Sequence, residues 1–149
     1  MKINVQVKDK SWTNYLNKPH LLVKKKVSLL NKRFKNLSKK KILVTLVLSN
    51  SKEIKKLNKK FRGKNKSTDI ISFPYNERSN LEKDMMNNNI DYLGDIIINI
   101  KKVKKKNFAN NFDKLWIHGL LHLFGHTHKN DKDYKKMSQL EKTYFQAVS

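Results

Sequence analysis

The segment Leu115-Trp-Ile-His118-Gly-Leu-Leu-His122-Leu-Phe-Gly125-His-Thr-His128 constrains this chain more than any other. Up to Phe124 its apolar residues fall on nearly every side of a helix, and such a helix has to be buried. His118 and His122 lie four residues apart, so they share one face, one turn from each other, in a dry cleft. Gly125 suits the left-handed conformation that ends a helix, after which the returning chain brings His128 toward the pair. Three neutral imidazoles suit Zn²⁺ and leave the fourth tetrahedral position to water, as in catalytic zinc sites. Four of the five histidines fall between His118 and His128, which makes metal binding the expectation from spacing alone. In an H-E-x-x-H metalloprotease the residue after the first histidine is the general base; here it is Gly119, which disfavours peptide hydrolysis by that route.

Hydrophobic periodicity supplies the framework around that helix. Ile3, Val5 and Val7 alternate with polar neighbours, the pattern of a half-buried strand. A helix is expected from Pro19 to about Asn36, with Val23, Val27, Leu30 and Phe34 on one stripe. Ile42 to Leu48 is apolar and β-branched enough for a central strand buried on both faces. Asn50 with Glu53 approximates a capping box for a short helix whose inner face is Ile54, Leu57 and Phe61. Thr68 to Phe73 and Gly94 to Ile100 read as strands joined by a polar loop containing Asn87, Asn88 and Asn89. A lysine-rich connection, Lys101 to Phe112, leads to the histidine helix. A last helix from Lys132 to Val148 carries Tyr134, Met137, Leu140, Tyr144 and Val148 as core packing. The fold predicted for residues 1–149 is a single α+β domain, a mixed sheet of about four strands packed with helices, with the zinc on the helix that carries His-Gly-Leu-Leu-His.

With 149 residues there is material for one ordinary core. The absence of cysteine excludes disulfides and thiolate-bound zinc, leaving histidine as the nitrogen ligand. No apolar leader and no long apolar run are found, so neither export nor membrane insertion is expected and the predicted location is cytoplasmic. A formal charge of +22 suits phosphate binding through counterion release. Of 34 basic residues, however, only Arg33, Arg62 and Arg78 are arginine, and with the abundant Asn and Ile this also reads as compositional drift. The same drift makes each arginine more informative, because lysine is the default cation.

Three ordered blocks carry a resemblance. They are Leu57-Asn-Lys-Lys-Phe61-Arg62-Gly-Lys-Asn-Lys-Ser67-Thr68-Asp-Ile-Ile-Ser72-Phe73-Pro74, then Leu93-Gly94-Asp95-Ile96, then His118-Gly-Leu-Leu-His122-Leu-Phe-Gly125-His-Thr-His128. In these the chain resembles the YbeY endoribonucleases, rRNA maturation factors whose signature reads H-G-x-L-H-L-x-G-Y-D-H. The departures are His126 and Thr127, where that family has Tyr and Asp, with Ser67 for a Pro and Asn65 for an Asp. Thr127 in place of Asp removes a carboxylate beside the site, and His126 in place of Tyr could compete with His128 for the ion. The family spacing reserves the last position for the ligand, which implies His118, His122 and His128 around one zinc per chain.

The resemblance implies a metal-dependent endoribonuclease that cleaves single-stranded RNA and matures the 3′ end of small-subunit rRNA, with a role in ribosome quality control. Small-subunit rRNA and ribosomal proteins would be its partners. Zinc would acidify a bound water or polarise a phosphoryl oxygen. Arg62 would be the catalytic cation, its fork of donors stabilising charge on the phosphorane in a way lysine cannot. Thr68 and Ser72 are candidates to line the cleft or to bond locally, and Asp95 to orient an imidazole or cap a turn. Two rival readings follow: a non-catalytic, zinc-stabilised ribosome assembly factor that binds rRNA, and a hydrolase using the same zinc on another substrate.

Overall fold

The computed structural model describes residues 1–75 and 90–149, so the expected loop at Asn87 to Asn89 lies outside the described residues. In chain order come β1 (Lys2–Val7), α1 (Pro19–Arg33), α2 (Lys35–Lys39), β2 (Ile42–Ser49), α3 (Ser51–Arg62), β3 (Ile70–Pro74), β4 (Asp91–Asn99), α4 (Phe108–Leu123) and α5 (Asp131–Val148). The sheet has the order β1-β2-β4-β3. β1, β2 and β4 run parallel, and β3 pairs antiparallel along the β4 edge, with Ser72 opposite Ile96. This is the α+β domain with a four-stranded mixed sheet that the sequence predicts.

The two faces of the sheet are unequally covered. Helices α1, α4 and α5 bury Val44, Leu46, Leu48, Ile96 and Ile98 in the main core. On the opposite face, among the described residues, α3 alone packs Ile54 against Ile71, Phe73 and Ile97. β2 therefore alternates buried and half-buried residues, instead of being buried on both faces as its run of apolar residues suggested. One amphipathic helix is too narrow to cover the strand.

Several boundaries depart from the periodicity for local reasons. α1 stops at Arg33 because Phe34 leaves helical geometry, which lets its ring stack on Tyr144 at 4.6 Å and lets Leu37 of α2 bury separately. Asn50 caps α3 as expected, its side chain accepting from the Glu53 N–H. Phe61, however, is 50% exposed and touches Phe73 only edge-on, because α3 has reached the rim of the sheet by its last turn. Tyr134, at the start of α5, is likewise 61% exposed and no part of the core. Trp12 lies in a 3₁₀ turn, Lys10–Asn14, that the sequence reading passed over. It is fully buried, donates its indole N–H to Ser49 O at 2.9 Å and meets Phe108 and Phe112 edge-on. Those aromatic contacts explain why α4 starts at Phe108, inside the stretch expected to be a connection.

Asp113 braces three helices. Its carboxylate accepts from Lys26 Nζ of α1 at 2.6 Å and from Trp116 Nε1 at 2.9 Å, and Lys26 also donates to Val148 O at the end of α5. Burial pushes the Asp113 carboxyl up, opposed by its bonds from Lys26 and Trp116. Asp113→Ala leaves an ammonium and an indole N–H without their acceptor, so it should cost about 3 kcal/mol. Urea unfolding checks this: the midpoint should fall with the slope unchanged, and a midpoint equal to wild type would show that the brace contributes nothing.

Candidate metal centre

α4 lies on β3 and β4 with a glycine at the contact. A Cβ on Gly119 would come within 2.7 Å of Ile96 Cγ2, 2.9 Å of Ile70 Cδ1 and 3.0 Å of Ser72 Oγ. The sheet therefore occupies the space where an H-E-x-x-H enzyme carries its glutamate. Ser72, nearly buried, donates to Gly119 O at 3.2 Å and fixes the helix to the strand at that level.

The close approach turns His118 and His122 toward a cleft of about 630 Å³ between β3 and the loop after α4. That loop begins with a glycine-capped helix end. Gly125, at φ 88°, donates to His122 O at 2.9 Å, and the His126 N–H reaches back to Leu121 O at 3.0 Å. This turn places the His126 carbonyl 2.9 Å from His122 Nδ1. On the neighbouring ring, His118 Nδ1 sits 2.5 Å from Glu141 Oε1 of α5. A carbonyl and a carboxylate accept and do not donate, so both Nδ1 atoms carry a proton, and in the neutral rings that bind metal both Nε2 atoms present lone pairs.

Those two Nε2 atoms are 3.0 Å apart. Facing lone pairs at that distance repel unless a cation lies against both. The His128 ring stands 5.0 Å from that of His122 and 5.7 Å from that of His118, and one nitrogen from each of the three residues falls within 4.8 Å of the others. This donor set fits a metal ion of zinc's character, with three neutral nitrogens on one side and the open cleft on the other. Burial, and after it the electrostatic influence of the neighbouring His118, holds the His122 pKa below the ordinary value, which favours its neutral form. His126 contributes its backbone to the turn while its side chain also lines the cleft.

Arg62 leaves the end of α3 and reaches round the outer edge of β3. One guanidinium nitrogen donates to Ser72 O at 3.0 Å, and the plane lies 5.6 Å from the centre of the Phe73 ring. Arg62 also borders the same cleft as the histidines. Thr68 takes the local one of its two expected places: its hydroxyl bonds Asp69, and it is not among the residues around the cleft. Its carbonyl instead joins Ser51 and Ser67 around the buried amide of Asn99, a hub that sets the approach to β3.

Asp95 is corrected more sharply. Its neighbour Ile96 touches the α4 face at Gly119, whereas Ile97 packs under α3, so strand alternation turns Asp95 to the α3 side of the sheet. There it accepts from the Tyr92 hydroxyl. The carboxylate that orients an imidazole is Glu141, in a helix the sequence reading assigned to packing alone. A signal was available: the chain has only 12 acidic residues, and Glu141 directly flanks the Met137, Leu140, Tyr144 stripe. Thr127, standing where an Asp was expected, bonds Asp133 of α5 at 3.2 Å, which keeps a carboxylate near that turn.

A family model described as Endoribonuclease YbeY matches residues 5–149. The Endoribonuclease YbeY of Pelagibacter ubique (strain HTCC1062) is 38% identical, over 99% of this chain and 96% of its own length. The protein of that name from Thermodesulfovibrio yellowstonii is 37% identical over 67% of this chain and 63% of its own. A solution structure of a Thermotoga maritima protein matches with a TM-score of 0.60 at 25% identity, covering 99% of this chain and 89% of the other. Because the matched region runs from β1 to the last residue of the chain and includes every group of the histidine cleft, this chain belongs to the YbeY endoribonuclease family.

Proposed function

We propose that this protein is a zinc-dependent endoribonuclease that cuts single-stranded RNA in the cytoplasm, in maturation of the 3′ end of small-subunit rRNA and in ribosome quality control. The observation that carries the reading is the pair of Nε2 lone pairs 3.0 Å apart in a cleft shared with Arg62. Family membership supports RNA as the substrate, and the charge of +22 supports attraction to it, with small-subunit rRNA and ribosomal proteins as partners. Among the described residues no helix is long and apolar enough to cross a membrane.

His118, His122 and His128 would hold the zinc, which supplies Lewis acidity toward phosphoryl oxygen and a water acidified toward neutrality. The chain's own groups do the rest. Glu141 and the His126 carbonyl hold the two imidazoles in one tautomer. Arg62 meets the non-bridging oxygens of the phosphate with paired donors, steadied by the Phe73 ring beneath it. Ile70 and Ile71 line the β3 wall, where fewer waters screen these charges.

His122→Ala separates this reading from that of a non-catalytic assembly factor. The variant should stay folded and keep RNA affinity while cleavage is lost; if RNA binding disappears together with the fold, the zinc is structural. Arg62 is exposed, so Arg62→Lys should fold normally and keep the charge, yet lower kcat/KM by about 10²-fold through loss of the fork. Unchanged turnover would confine Arg62 to covering the β3 edge.

Metal uptake carries a pH signature. Protons and zinc compete for the same nitrogens, so affinity should decline as pH falls through and below the ordinary histidine value of 6.5. In the metal-free protein the lowered His122 pKa means the native state binds fewer protons than the unfolded chain. Its contribution to stability is therefore present above 6.5 and lost as pH falls through that value toward the native pKa. Thermal unfolding of metal-free protein should show this loss, reduced in His122→Ala; equal pH dependence in both would refute the assignment.

A further inference from the structure

On the far side of His118 a second hollow of about 570 Å³ opens between α4, α5 and the start of β3. It shares Asp69, Ile70 and His118 with the histidine cleft, so the two spaces adjoin at one imidazole. Its walls are mainly apolar, from Ile70, Leu115 and Phe145, and Lys114 and Lys142 also line it. The Lys114 ammonium stands 5.4 Å from the centre of the Phe145 ring. Neither lysine has a place in the metal centre described above.

The size lies within the range of small-ligand pockets, and the chemistry is specific. Apolar walls with an aromatic ring suit the face of a heterocyclic base, and the two ammonium groups, set beside Asp69 and Glu141 in the same lining, suit the phosphates that flank it. Because the hollow begins at His118, its occupant is a near neighbour of whatever group reacts in the cleft. We infer that this hollow receives the base of the nucleotide next to the scissile phosphate, with Phe145 and Leu115 against the base and Lys114 and Lys142 toward the adjoining phosphates. The inference rests on the reading of the cleft as an RNA-cleaving site. It gives Glu141 two surroundings at once, since that carboxylate holds His118 and also forms part of the hollow's wall. A base seated there covers the Glu141–His118 bond from solvent.

The test uses zinc-loaded protein and a short single-stranded RNA cut at one bond. One nucleotide at a time is replaced by an abasic ribose, and KM and kcat are measured for each RNA. At one position flanking the cut, loss of the base should raise KM about tenfold or more, the usual effect of losing one stacked base, with little change in kcat. Ser138 lies exposed on α5 in the wall of the hollow, so Ser138→Trp fills it without touching the core. That variant should raise KM for intact RNA by a similar factor and show no further loss on the sensitive abasic RNA. Circular dichroism and bound zinc matching wild type establish that the fold and site are intact. An abasic scan with no sensitive position, or Ser138→Trp cutting intact RNA with wild-type KM, would overturn the inference and leave the cleavage reading standing. Failure of zinc-loaded wild type to cut any RNA would overturn both.

Discussion

The orientation of two imidazoles controls this structure. His118 and His122 are each held at Nδ1, one by a carboxylate and one by a backbone carbonyl, so their Nε2 lone pairs point at each other across 3.0 Å. Such a pair does not stabilise a metal-free fold. It persists because the surrounding structure fixes both rings, and that is the usual condition for strain at a working site. The placement of Gly119, Gly125 and Glu141 follows from it. Gly119 brings α4 close enough to the sheet to set the rings at the cleft, Gly125 turns the chain so that the His126 carbonyl meets His122, and α5 brings Glu141 to His118.

Holding that orientation requires a stiff support, and the chain provides it through a few polar hubs. Asp113 links α4 to α1 and, through Lys26, to the end of α5, so the helix bearing Glu141 and the helix bearing the histidines share one brace. Asn99 gathers Ser51, Ser67 and Thr68 at the far end of β4 and thereby fixes where β3 begins. β3 in turn carries the Ser72 hydroxyl to α4 and the Ser72 carbonyl to Arg62. One residue of β3 thus positions the histidine-bearing helix on one side and Arg62 on the other.

Much of this was legible in the amino-acid sequence where a single local rule decided the outcome. The histidine spacing, the Gly125 turn, the Asn50 cap and the alternation of β1 each depend on neighbours within a few residues. Features set by distant packing were not legible. Phe61 and Tyr134 keep helical spacing yet face solvent, because the helices run past the edge of what they cover. The break at Phe34 carries no glycine or proline and comes from stacking on Tyr144, more than a hundred residues away. Asp95 was a reasonable partner for an imidazole by its motif, but strand alternation turned it to the other side of the sheet. Glu141 was obscured because a helix chosen for its apolar stripe can carry a working acid on the flank of that stripe.

The central claim is that His118, His122 and His128 together form the ligand set, with His126 supplying only its backbone. X-ray absorption at the zinc edge of the loaded protein tests it most directly, with His128→Ala and His126→Ala beside wild type. One zinc per chain with three nitrogens at about 2.0–2.1 Å is expected, with one nitrogen lost in His128→Ala and the shell unchanged in His126→Ala. A shell that survives His128→Ala but loses a nitrogen in His126→Ala would contradict it, as would a wild-type protein that takes up no zinc.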